Sequence, residues 1–316
     1  MVVTKQYFRE VYRRASQAYR DPKTRDFIIQ YSTAIQILID SLGQEVLDLL
    51  QDYFPEATRQ GVEFIEDYRK LDEDRMIAIS HSYTGWTVAP SLARLIFFAH
   101  AVYDLEKNNV ENFDRVKPFC TKEGLKHRPF ERTYYEIVIA ARFARRDMEV
   151  KFVQEGKLRS DKGKAVRTPD LLVLDRSNFV SIECKSNVFR DLDSIQDQNL
   201  RTKRAIDRLL EGYQQIEEYG EATSHHGIVL VQYFDNTHIE EDKEYMRALL
   251  IDEMQQYKYV EGGGFTYDVF NLRSVHAVTN YFGAVKDGTV FSRKMLRTFS
   301  FQDEVETIEW TESSFQ

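Results

Sequence analysis

Cysteine is nearly missing from this 316-residue chain: Cys120 and Cys184 are too few for a disulfide framework, and a reducing, cytoplasmic setting is expected. Proline and glycine are also sparse, at six and fourteen, which argues against long structureless tracts. No long hydrophobic run occurs. The longest, such as Ile35–Ile39 and Leu95–Val102, fall well short of the roughly 20 residues needed to span a bilayer, so no membrane partner is expected. The opening MVVTKQYFREVYRR holds no apolar segment and carries Glu10, so no signal peptide is expected either. Positive charge is in deficit, with 43 Lys and Arg against 51 Asp and Glu for a net of −8, which excludes a generally basic coat. Any contact with a polyanion must come from a local patch. The seven histidines show no metal-ligand spacing and there is no cysteine cluster, so a zinc site is unsupported. No G-x-x-x-x-G-K-[ST] loop is present, and Gly262-Gly263-Gly264, with no helix after it, is read as a turn.

What is present is an ordinary folded composition, 42% hydrophobic and 30% charged, rich in Phe (21) and Tyr (18). The length suits one large domain or two modest ones. Up to about residue 107 the periodicity is helical, over Phe8–Tyr19, Thr24–Leu42, Glu45–Tyr53, Glu56–Ile79 and Ser91–Lys107. Pro22, Gly43, Pro55 and Pro90 punctuate these stretches. Gln44–Asp74 carries ten acidic and three basic residues, most simply a solvated helical face. Residues 107–129 read as an irregular connection, placing a boundary between a helical region 1–127 and a domain 128–316. After it, helix Glu131–Arg146, strands Met148–Val153, Pro169–Leu174 and Phe179–Cys184, helix Asp191–Tyr219 and strand Gly227–Phe234 follow in order. A helix Glu240–Tyr257 and strands Phe265–Phe270 and Val275–Phe282 come next. The order implies an α/β fold with a mixed sheet covered by helices. The tail after Gly288 has weak strand character and is left unplaced.

Chemistry concentrates at Pro169-Asp170 and, twelve residues on, Glu183-Cys184-Lys185. With a side-chain period of two, Val180, Ile182 and Cys184 share one face of a strand while Ser181, Glu183 and Lys185 share the other. Pairing with the preceding strand brings Asp170 beside Glu183 and Lys185. Two carboxylates and an ammonium at the end of apolar strands would cost several kcal/mol if uncompensated. A divalent cation between the carboxylates removes that conflict, and oxygen-only ligands suit Mg²⁺, with Mn²⁺ as a substitute. This set serves phosphodiester hydrolysis: the metal lowers the pKa of a water and screens developing charge, and Lys185 orients or deprotonates that water. In the preceding helix Glu136 lies on the stripe of Ile139, Ala140 and Phe143, with Arg145 opposite. It either completes the metal site or forms a buried pair with an arginine; Glu131 is the fallback ligand.

The order Glu136, Pro169-Asp170, Glu183-x-Lys185 resembles the PD-(D/E)xK nuclease superfamily, and RTYYEIVIAARFARRDMEVKFV, TPDLLVLD and FVSIECKSN resemble its core over about residues 130–235. The resemblance implies a restriction-endonuclease-like αβββαβ core and Mg²⁺-dependent cleavage, with metal ligands at Asp170 and Glu183 and a catalytic Lys185. Gln215-Ile-Glu-Glu-Tyr219 is similar to the QxxxY element of RecB-like nucleases. Both residues can face the site; Tyr219 reads equally as a core anchor.

Lys157, Arg159, Lys162, Lys164 and Arg167, in the loop entering the strand of Asp170, form a basic patch, and Arg201, Lys203, Arg204 and Arg208 form a second. Each reads as a phosphate-neutralising surface or as a solvated segment. The expectation is a Mg²⁺-dependent endonuclease acting on double-stranded DNA, of restriction, defence or DNA-processing type, with an isologous dimer suited to double-strand cleavage. The competing expectation is a catalytically silent nuclease fold kept for nucleic-acid binding or assembly.

Overall fold

A computed structural model describes residues 33–46, 89–154, 156, 158–159, 163–175, 178–186, 198–232, 250–271, 276–287 and 290–298. The helices expected over Phe8–Tyr19 and Glu56–Ile79, and most of Glu45–Tyr53, lie outside them.

The helices are α1 (33–42), α2 (Ala89–Lys107), α3 (Phe130–Ala144), α4 (Gln198–Thr223) and α5 (250–254). The strands are β1 (Glu149–Phe152), β2 (Leu171–Asp175), β3 (Asn178–Lys185), β4 (His226–Gln232), β5 (Val260–Asn271), β6 (His276–Val285) and β7 (Val290–Thr298). They form one seven-stranded mixed sheet in sequential order, with the β3–β4 and β4–β5 pairs parallel and the others antiparallel. From α3 to β4 the order is α-β-β-β-α-β. Among the described residues no helix is long and apolar enough to cross a membrane.

Both faces of the sheet are covered, and β4 shows why the sequence demands it. Ile228 and Leu230 pack into a core with α1, α2 and α3, whereas Val229 and Val231 pack into a second core with α4 and α5. A strand buried on both sides must be apolar throughout, which explains the unbroken run Gly-Ile-Val-Leu-Val. On β3, Ile182 and Cys184 join the first core, and Ser181 and Glu183, also fully buried, point the other way. Helix α2 contributes Leu95, Phe98, Val102 and Leu105 to the core that α3 and β1–β3 share, so side chains on both sides of the expected boundary at 127 pack together. The connection between α2 and α3 consists of three 3₁₀ turns at Phe113–Arg115, Lys117–Cys120 and Gly124–Lys126.

Two readings of the C-terminal part are corrected. Gly262-Gly263-Gly264 is not a turn; it lies inside β5, paired with Ile228, Val229 and Leu230 on one side and Val285, Ala284 and Gly283 on the other. Glycine is needed there for proximity: a Cβ on Gly263 would overlap the Tyr213 hydroxyl of α4, so the missing side chains let the helix lie close on the sheet. The tail left unplaced after Gly288 supplies β7, which closes the sheet's far edge against β6.

Candidate active site

The β2–β3 register pairs Leu171 with Ile182, so the chain immediately before β2 lies beside Glu183. Asp170 stands there, 8% exposed. Its Oδ2 accepts the backbone N–H of Cys184 at 2.8 Å, which fixes the carboxylate across the end of the hairpin. Glu183 is fully buried and faces α4. The Lys185 ammonium lies 2.6 Å from Glu183 Oε1, a close ion pair without aligned hydrogen-bond geometry. Lys185 is 17% exposed, so its head marks the way from this buried cluster to solvent.

Gln215 of α4 ties the cluster together. Its Nε2 donates to Glu183 Oε2 at 2.7 Å and to the Thr168 carbonyl at 2.6 Å, and its Oε1 accepts from Lys185 Nζ at 3.0 Å. One amide thereby fixes the acid, the amine and the segment that leads into Asp170. Tyr219, one turn along α4, takes no part in these contacts. It is buried, its ring lies 5.8 Å from that of His225, and it lines a neighbouring cleft of about 440 Å³ with Thr168, Leu172, Lys151 and Val153.

Burial first, and the Asp170 charge second, push the Glu183 carboxyl up to about 8, with Lys185 pulling partly in the opposite direction. A fully desolvated carboxylate next to another resists ionisation until a cation compensates it.

Glu136 is buried on α3, 2% exposed, but its Oε1 is engaged by two guanidinium groups. Arg132 reaches it through Nε at 3.0 Å, and Arg128 pairs with the same oxygen. The other end of Arg132 donates to Asp170 Oδ1 at 3.0 Å. Of the two sequence readings of Glu136, the structure places it in the arginine pair, linked to Asp170 through Arg132. Among the described residues no group of three or more His, Cys, Asp or Glu side chains stands ready to hold a metal, and oxygen donors come from Asp170 and Glu183. Three contributors escaped the sequence reading. The Cys184 amide left no trace because backbone groups have no residue signature; Arg128 and Arg132, at intervals of four before Glu136, were a legible helical signal.

The basic loop is only partly described. Arg159 and Ala165 form an isolated antiparallel bridge, Lys164 is exposed, and Lys157 and Lys162 lie outside the described residues. Arg167 does not stand alone, as it makes a two-point ion pair with Glu218 of α4 at 2.8 and 2.5 Å, which holds its pKa above the ordinary value. In the second patch Lys203 and Arg204 are exposed, Arg208 pairs with Glu211 at 2.8 Å, and the Arg201 side chain lies outside the described residues.

Comparison with protein-family models, with curated proteins and with solved structures returns no match for this chain.

Proposed function

We propose that this chain is a metal-dependent phosphodiesterase, an endonuclease acting on DNA, built on a restriction-endonuclease-like core. The observation that carries the reading is the convergence of Asp170, Glu183 and Lys185 at one end of β2 and β3, braced by Gln215. The α-β-β-β-α-β order around that end supports the fold.

The donor set fits a hard divalent cation. Asp170 and Glu183 offer carboxylate oxygens, and Mg²⁺ usually takes one or two protein carboxylates, filling its remaining positions with water and substrate phosphate. A fully buried Glu183 with no aligned donor on Oε1 is a side chain that a cation would stabilise. When bound, Mg²⁺ would supply Lewis acidity toward the scissile phosphate and a more acidic water. The chain's own residues do the rest. Asp170 is aimed by the Cys184 amide, Glu183 by Gln215, and Lys185 orients the attacking water at the mouth. Water adds to phosphorus as one P–O ester bond breaks, leaving a phosphomonoester and a hydroxyl. The surface cations Lys164, Lys203 and Arg204 lie where a phosphate backbone would be neutralised.

The test is nicking of supercoiled plasmid with Mg²⁺ or with EDTA. Asp170→Ala and Lys185→Ala should abolish Mg²⁺-dependent nicking while the proteins remain folded by circular dichroism; full activity in either variant refutes the assignment. The silent binding module is the second reading, and Glu136 favours it, since two arginines already occupy that carboxylate. Plasmid binding by the wild type with no Mg²⁺-dependent nicking would select it.

A further inference from the structure

Arg128, Arg132 and Glu136 have no part in the mechanism above, yet they reach directly into its site. Arg132 joins two carboxylates, Nε on Glu136 Oε1 and a terminal nitrogen on Asp170 Oδ1, each at 3.0 Å. Asp170 is thus engaged on both oxygens, by Arg132 on one and the Cys184 amide on the other. Glu136 is held from a second side by Arg128, so it keeps a counter-ion whatever Arg132 does. Exposure separates the three: the Arg132 side chain is 37% exposed, Arg128 12% and Glu136 2%. Of this group, Arg132 is the one at the mouth.

The charges are balanced. Glu136, Asp170 and Glu183 face Arg128, Arg132 and Lys185, three against three. A divalent cation on Asp170 and Glu183 adds two positive charges to a set that is already neutral. Asp170 Oδ1 cannot serve a guanidinium and a metal ion together without bringing two cations into contact. Either a cation withdraws or an anion arrives, and a phosphodiester is an anion.

We infer that Arg132 is an exchangeable counter-ion: it caps Asp170 until the divalent ion binds, and is then handed to the substrate phosphate. This rests on the metal-dependent reading above. The Nε contact to Glu136 keeps the base of the side chain in place while the terminal nitrogens turn to the mouth. Arginine suits the exchange because its planar fork matches carboxylate and phosphate equally well.

Calorimetric titration of Mg²⁺ into metal-free protein tests the first half, and fluorescence anisotropy of a short DNA duplex with Ca²⁺ in place of Mg²⁺ tests the second. Arg132→Gln should bind Mg²⁺ about tenfold more tightly than wild type, equivalent to ~1.4 kcal/mol, and duplex about tenfold more weakly. Arg132→Lys should fall between the two on both measurements, and it provides the reading if the Gln variant does not fold. Arg128→Gln removes the same charge from Glu136 without touching Asp170, and should change Mg²⁺ affinity less than twofold. An Arg132→Gln affinity for Mg²⁺ no higher than wild type, or an equal gain in Arg128→Gln, overturns the counter-ion role. Tighter Mg²⁺ binding with unchanged duplex affinity overturns the hand-over to phosphate. A wild type that takes up no Mg²⁺ overturns the metal reading itself, and is distinguishable from all of these.

Discussion

Gln215→Ala removes three contacts at once: two donated by Nε2, to the Thr168 carbonyl at 2.6 Å and Glu183 Oε2 at 2.7 Å, and one accepted from Lys185 at 3.0 Å. The loss at Lys185 is small, because that side chain is partly exposed and water can replace the amide. The other two oxygens belong to Thr168, 8% exposed, and Glu183, 0% exposed, where water is not a ready substitute. An orphaned neutral carbonyl costs about 1 kcal/mol and a lost hydrogen bond to a charged group ~1.5–3, so ~2–4 kcal/mol is expected in total. For a chain of this length that is a fall of roughly 5–10 °C in Tm. Thermal denaturation followed by circular dichroism, with urea melts at 25 °C, measures it. Gln215→Glu keeps the shape but loses the donors. At pH 8 it should be at least as unstable as the Ala variant, because it places another carboxylate against Glu183. At pH 5, where a protonated carboxyl can donate again, it should regain part of the loss while the Ala variant does not. An Ala variant melting within about 1 °C of wild type would refute the reasoning, since both buried oxygens would then have other partners.

Other outcomes follow from the same contacts. Glu183 titrates at about 8 in the fold, against an ordinary 4.5, so the folded state holds its proton more tightly than the unfolded chain between those values. Metal-free stability should therefore fall as pH rises through that window, and Glu183→Gln, which has no such proton, should flatten the fall in urea midpoints. Gly263→Ala should cost ~1–3 kcal/mol because its methyl meets the fully buried Tyr213 ring, and Tyr213→Phe should recover part of that loss in a double-mutant cycle. Arg167→Ala should leave Tm within about 1 °C, its pair with Glu218 being half exposed, but should lower duplex affinity and reduce the salt slope by about 0.9 if it meets a phosphate.

Much of the central architecture was legible because local periodicity there agrees with burial. The strands expected at Met148–Val153, Pro169–Leu174 and Phe179–Cys184 occur as Glu149–Phe152, Leu171–Asp175 and Asn178–Lys185, with ends differing by one or two residues where pairing, not side-chain pattern, sets the limit. The alternation on β3 placed Glu183 and Cys184 on opposite faces, and the structure buries them among different neighbours. The glycine run was misread for a physical reason. Local chemistry favours a turn, whereas the close approach of Tyr213, some fifty residues away, requires bare backbone inside a strand. Arg128 and Arg132 went unassigned because a guanidinium four residues from a glutamate on a helix reads as a surface pair; only the docking of α3 on the sheet brings Arg132 to Asp170.

By itself the sequence determined which residues alternate, which stretches carry the 3.6-residue stripe, and that acid, acid and amine sit on one hairpin, since these follow from geometry along a single strand or helix. Tertiary structure decided what each charge meets. Gln215 is thirty residues from Lys185 and Arg132 thirty-eight from Asp170, and no periodicity spans such distances. Partners of buried charges are chosen by how helices dock on the sheet, because a desolvated carboxylate must take whichever donor the packing brings within reach.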